Sequence, residues 1–209
     1  MALALEVARV ALSNSAQPAG ATQSVFTSAH GDLGITDYMC TTLASQPRAV
    51  SPTKFLNSVH NAAAGYWGMA TGCMQSSMAL SAFDCSFANG LLEALALCTC
   101  NGAPVLLVGV DIAATGPLTS TNDSVGQLAA AMVLAPIRTE RARAELSWSV
   151  VPGPARRRSL RCDATRSLAS NAMADALPLF EVLARQDCEP VCMPLGENLA
   201  LCLQWAFLV

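Results

Sequence analysis

The sequence predicts an α/β fold in which helices pack on a mixed β-sheet. Helical segments alternate with fully apolar runs of strand formers, the clearest being residues 104–111, PVLLVGVD. Pro, Gly and short polar capping residues mark where these segments begin and end. The 209 residues suffice for one large domain, taken as residues 1–209, and no internal repeat runs through them.

The elements follow in order. Residues 2–13 read as an amphipathic helix with Leu3, Val7 and Val10 on one face. QSVFT at 23–27 reads as a short buried strand, followed by a loop at His30, Gly31 and Asp32. Asp32 is placed to cap a helix that runs through Asp37 to Ser45 and ends before Pro47. Ser51-Pro52-Thr53 opens another helix, with Pro in the first turn, where its missing donor costs nothing. Residues 62–71, rich in Ala and Gly, read as a close-packing helix. A strand at 78–82 enters a turn at 83–86, and a helix continues to Cys98. Strands are expected at 104–111, 129–135 and 145–151, then a helix at 171–185 kinked by Pro178. The apolar stretch 199–208 fits strand or helix equally.

Apolar residues make up 53% of the chain and charged residues only 13%, against about 25% in ordinary soluble domains. So little charge leaves apolar surface that another protein is expected to cover, the alternative being a monomer with an unusually apolar core. No apolar run is long enough to cross a membrane. The opening MALALEVARVAL has no basic start and carries Glu6 and Arg9, so it reads as a helix rather than a signal peptide. Nine cysteines lack CxxC spacing and only two histidines are present, which argues against a zinc site. Cys98, Cys100, Cys188 and Cys192 read as small buried hydrophobes, and the expected compartment is the cytoplasm. No cofactor or metal is expected. A net charge of −3 and the absence of interleaved aromatics disfavour nucleic acid.

The turn at Phe83-Asp84-Cys85-Ser86, between a strand and a helix, is the best place for a nucleophile. A helix N-terminus there lowers a thiol's pKa and stabilises an oxyanion. Cys85 therefore reads as an activated thiolate or as an inert thiol, and the neighbouring Asp84 favours the second. The histidines are His60, in the polar cluster Asn57 to Asn61, and His30. Each reads as a loop-tying residue, with the lining of an acyl channel or a subunit contact as the alternative for His60. Eight of the twelve basic residues lie between Arg138 and Arg166. The run Arg156-Arg157-Arg158, in a basic loop at 152–166, reads as a solvated mobile loop or as a dock for an acidic partner.

VFTSAHGD at 25–32, SPT at 51–53, SVHNA at 58–62, SFANGLLEA at 86–94 and PVLLV at 104–108 together resemble the β-ketoacyl synthase-like N-terminal domain family. The likeness is strongest over residues 24–136, with the stretch 126–136 weaker. The family belongs to the thiolase-fold condensing enzymes found beside aryl polyene and xanthomonadin pigment synthases. The resemblance implies a layered, thiolase-like half fold whose usual first strand is expected to be missing. It implies a chain-length-factor-like subunit that pairs with a full-length ketosynthase as a heterodimer in type II polyketide or fatty-acid-like synthesis. Cys85 is then expected to stand one residue out of register with the ketosynthase nucleophile. Asn57, His60, Asn61, Phe83, Asp84 and Phe87 become candidates for a tunnel wall or subunit interface. Arg156, Arg157 and Arg158 become candidates for docking an acyl carrier protein. Two competing readings are a shortened β-ketoacyl-ACP synthase acylated on Cys85 with help from His60 or from the partner, and a solitary binding protein for acyl carriers that docks them on the arginine loop.

Overall fold

The computed structural model describes residues 1–122, 124–155 and 158–208. Its first sheet is built from β1 (Gln23–Thr27), β2 (Ser77–Leu80), β3 (Val105–Ile112) and β4 (Gln127–Leu134), in the order β2-β1-β3-β4. The first three strands are parallel and β4 is antiparallel to β3. The apolar run of β3 follows from this position. Val105 and Leu107 face one helical layer while Leu106 and Val108 face the other, so every residue must be apolar.

One layer contains α1 (Ala2–Ser15) and α4 (Ala62–Thr71), whose Ala4, Ala8, Leu12, Ala64 and Trp67 pack on Phe26, Leu106 and Val108. The expected helix at the N-terminus is present, but it buries Ala4, Ala8 and Leu12 rather than a Leu3, Val7 and Val10 face. Val10 is exposed. Alanines win that position because a helix carrying them can lie close against the sheet.

Between these elements, α2 (Leu33–Ser45) is capped by Asp32, whose Oδ1 accepts from the Ile35 amide at 3.1 Å. Ser51 likewise caps α3 (Pro52–Asn57). On the other side of the sheet lie α5 (Ser86–Asn101) and, after the short α6 (Asp163–Arg166), α7 (Leu177–Arg185). Their Phe87, Leu91, Leu95, Leu179 and Val182 share a core with Val25, Val105 and Leu107.

A second sheet is formed by β5 (Ala144–Pro152), β6 (Val191–Gly196) and β7 (Leu199–Phe207), in the antiparallel order β5-β7-β6. Val191, Met193, Leu201, Leu203 and Trp205 join the core built on α5. The ambiguous stretch near 199–208 is therefore a strand, because partners on both sides take its backbone groups. β6 was not anticipated, since a six-residue strand containing Pro194 carries little periodic signal.

Pro178 does not kink a helix. Residues 174–176 form a 3₁₀ turn, and Pro178 sits in the first turn of α7, where no amide donor is required. The buried-thiol reading holds for Cys98, whose burial pushes its thiol up. It fails for Cys100 and Cys188, which are exposed, and for Cys192, which is disulfide-bonded to Cys202. Among the described residues, no helix is long and apolar enough to cross a membrane.

Candidate functional site

Parallel β1 and β3 end side by side, which brings the loop after β1 onto Asp111 near the end of β3. Asp111 is buried and accepts from Ser28 Oγ at 2.7 Å, the Ala29 amide at 2.7 Å and the His30 amide at 3.3 Å. Burial pushes its carboxyl up, and these three hydrogen bonds oppose that push. The loop is thereby fixed, and His30 with it. Ser28 Oγ also accepts from the Gly31 amide, whose φ of 69° suits glycine.

On the neighbouring strand, β2 ends in a tight elbow that turns into α5. Ser86 Oγ accepts from the Ala82 amide at 2.9 Å and donates to the Phe83 carbonyl at 2.7 Å, closing the turn on itself. The residue that bends is Phe83, with φ 47°, although it is a bulky non-glycine residue and 73% exposed. Such a conformation costs about 1–3 kcal/mol, and its ring gains little burial in return. Phe83 stands edge-on to His30, with ring centroids 6.4 Å apart. Cys85 is the N-cap residue of α5, two positions beyond the strained one.

The N-terminus of α5 is already answered by an acid. Asp175, just before α7, accepts from the Ala88 amide through Oδ2 at 3.1 Å, while its Oδ1 is buried without a partner among the described residues. Burial raises this carboxyl to about 7, against the pull of the Ala88 and Phe87 amides, and the charge of Asp111 adds to the rise. A carboxyl at a helix N-terminus competes with any thiolate that would form there.

A cavity of about 500 Å³ lies where these groups meet, bordered by His30, Asp84, Arg158, Asn171, Asp175 and Cys192. Asn171 donates from Nδ2 to the Val125 carbonyl at 3.0 Å and to the Asp111 carbonyl at 3.4 Å, and its Oδ1 accepts from the Met173 amide, so it ties the segment before α7 to the end of β3 and the turn into β4. A second cavity of about 60 Å³ is bordered by Ser28, Asn57, His60 and Asp111. His60 Nε2 is hydrogen-bonded to the Ser28 carbonyl at 2.9 Å, which ties the loop as its sequence context suggests.

The sequence candidates therefore separate. His30 and Asp84 border the large cavity, and Asn57 and His60 border the small one. Asn61 is exposed at the start of α4. Phe87 is wholly buried, packs edge-on against Phe180 and borders neither cavity. Arg156 and Arg157 lie outside the described residues.

Arg158 is not in a loose loop. It pairs with Asp187 and with Glu189 at 3.1 Å, and only 14% of its side chain is exposed. The chain after it is held by Glu181, which accepts from the Arg161 and Cys162 amides and from Thr165 Oγ1. Burial works to raise the Glu181 carboxyl, but these hydrogen bonds hold it below the usual range. Sequence reading missed Asp111, Asn171 and Asp175. An acid closing an apolar strand was the available signal for Asp111, whereas nothing local marks Asp175.

Residues 2–191 match the family model of the β-ketoacyl synthase N-terminal domain. The fold is shared with a solved structure of a ketosynthase (ApeO) in complex with its chain length factor (ApeC) from Xenorhabdus doucetiae. That match has a TM-score of 0.72 and 22% identity and covers 97% of this chain and 75% of the other. It is also shared with the ishigamide ketosynthase/chain length factor, at TM-score 0.66 and 12% identity, over 90% of this chain and 73% of the other. No curated protein matches the sequence.

Proposed function

The chain belongs to the β-ketoacyl synthase N-terminal domain family, and from that premise we propose that it is the chain-length-factor-like, non-catalytic partner of a full-length ketosynthase. The two subunits would form a heterodimer in the cytoplasm and act in type II polyketide or fatty-acid-like synthesis of the aryl polyene kind. The observation that carries the reading is the series of exposed apolar side chains along the chain from α3 to the elbow. β2 is an edge strand whose Ser77, Met78 and Ala79 are exposed. Along the chain before it, Phe55 is 57%, Leu56 66%, Met69 73% and Met74 93% exposed, and Phe83 just after it is 73% exposed. Isolated exposed hydrophobics are ordinary, but a run of them from α3 through α4 to an unpaired strand edge calls for a cover. In this proposal the partner subunit supplies it, with Asn57, His60, Asn61, Phe83 and Asp84 at or near the contact.

The site's chemistry supports a non-catalytic role. The strained elbow position holds Phe83 rather than a thiol. The α5 N-terminus is engaged by Asp175, and Asp84 adds a second acid beside Cys85. An acyl carrier protein is the second proposed partner, docking on the run that includes Arg156 and Arg157. Arg158 would have to leave its pairing with Asp187 and Glu189 to take part.

The rival reading, acylation of Cys85, rests on that residue's position at the start of a 16-residue helix. The two readings part on one substitution. In the reconstituted complex, Cys85→Ala should leave the rate of chain extension and the product length unchanged. Loss of extension with the complex still assembled would establish Cys85 as the nucleophile and overturn the non-catalytic role.

A further inference from the structure

The second sheet contains a disulfide that neither the sequence nor the family reading called for. Cys192 in β6 and Cys202 in β7 stand directly opposite each other in the antiparallel register, with Cα atoms 4.1 Å apart. The two strands are already held together by the ladder on both sides of the pair, including Val191 opposite Leu203 and Met193 opposite Leu201. The link joins cysteines only 10 positions apart, so it does not choose the fold; it points to a local task, bearing on how firmly β6 is held at this place.

Three observations point to what that is. Both cysteines are only half-buried, so neither strand position is sealed from solvent. Cys40, Cys73, Cys98, Cys100, Cys162 and Cys188 are free thiols, and Cys192–Cys202 is the one disulfide among the described residues. In a chain read as cytoplasmic, a single bonded pair among free thiols belongs to the class of disulfides that form and break rather than persist. The third observation is location. Cys192 borders the large cavity, together with Met193 and Pro194. Three residues beyond Cys192, within the irregularity between Pro194 and Gly196, the Leu195 carbonyl accepts from Asn89 Nδ2 of α5 at 3.2 Å. β6 is therefore the link between the disulfide, the cavity wall and the helix that follows the elbow.

We propose that Cys192 and Cys202 form a reversible thiol–disulfide exchange site, serviced by a dithiol reductant, whose state sets how firmly β6 holds the cavity wall against α5. In the reductive step a thiolate of the reductant attacks one sulfur of the pair. A mixed disulfide forms and the other cysteine leaves as a thiolate, which takes up a proton. The reductant's second thiolate then closes on its own bonded sulfur and releases the remaining cysteine, which is protonated in turn. Two electrons pass to the pair, and the reductant ends as a disulfide. The reverse sequence restores the bond. The proposal rests on the cytoplasmic reading, both for the reversibility of the bond and for the presence of such a reductant, and not on the identity of the partner subunit.

The test uses the full chain, purified without reductant, and reads peptides of this chain alone, so it applies whether or not a partner is bound. Alkylation under denaturing conditions should label seven of the nine cysteines before treatment with dithiothreitol and all nine after it. Under native conditions, hydrogen exchange of residues 191–196 and of 86–89 should quicken at least tenfold on reduction. Residues 105–112 should be unchanged, and air or oxidised glutathione should reverse the effect. The double variant Cys192→Ser, Cys202→Ser should match the reduced protein without added reductant. Nine reactive thiols before treatment would overturn the proposal, because the bond would not exist. Unchanged exchange after reduction would overturn it as well, because the bond would then set nothing. Neither outcome bears on whether the chain pairs with a ketosynthase.

Discussion

Asp175→Asn should raise the stability of the chain at pH 8 and flatten its dependence on pH. The sign follows from the site. The folded protein holds the Asp175 carboxyl at about 7, up from the ordinary 3.8, because burial disfavours its charge. Between those two values the folded chain keeps a proton that the unfolded chain has released. Stability is therefore highest at the acid end of that window, falls as pH rises through it, and levels off above about 7. A shift of this size corresponds to roughly 4 kcal/mol as an upper bound. Asp111, raised by burial as well, acts in the same direction. Glu181 and Asp187 act oppositely, since their carboxyls are held low and their contributions are lost only as pH falls through the acid range. Asn keeps an oxygen for the Ala88 amide and has no charge to bury. Urea unfolding at pH 5 and pH 8 should therefore show the wild type losing stability across that interval and the variant losing markedly less, the remainder coming from Asp111. An equal slope in both would mean that Asp175 is ordinarily ionised in the fold.

Phe87→Ala should cost about 3–5 kcal/mol, the usual loss for a buried aromatic truncated to alanine. Phe87 has no exposed surface, packs on Phe180 and shares its core with Leu91, Leu107 and Met173. The neighbouring backbone is equally tight, because a Cβ on Gly109 would stand 2.6 Å from the Phe87 ring. Urea unfolding of the chain, alone or in its complex, measures the loss. A cost below about 1 kcal/mol with altered product length would instead return Phe87 to a tunnel wall.

These two residues also mark the limits of the sequence as a guide. Periodicity and capping were enough for β1, β3, α2, α3 and α4, because each is fixed by local chemistry: a run of β-formers, an Asp32 or Ser51 cap, a stretch of Ala and Gly. The face of α1 was misread because close packing favoured Ala4 and Ala8 over larger apolar neighbours, a choice made by the sheet beneath rather than by the helix. Phe87 is a candidate for a tunnel wall or interface through the family resemblance, and packing against Phe180, far along the chain, places it in the core. Asp175 could not be recognised at all. Its importance comes from meeting the N-terminus of a helix nearly ninety positions earlier, and no local pattern encodes that meeting. The Cys192–Cys202 pair was hidden for the same reason, since it depends on the register of a strand too short to predict.

The elbow itself was located correctly, and its reading was sharpened by the backbone. The bend falls on Phe83, so the thiol at Cys85 stands beyond the strained position, at a helix start that Asp175 already occupies. Strain on an exposed aromatic is tolerated where the surroundings over-determine it. Together with the exposed residues of α3, α4 and β2, it directs attention to the surface around the elbow as the place where a second subunit would sit.

That contact is best measured by native mass spectrometry of this chain co-expressed with a full-length ketosynthase from the same pathway, alongside the double variant Leu56→Glu, Met69→Glu. Both substituted residues are exposed, so the fold itself should tolerate the change. The expected result is a 1:1 complex with the unaltered chain and loss of that complex with the variant. A wild-type chain that stays monomeric beside the ketosynthase, or a variant that pairs as well as the wild type, would contradict the account.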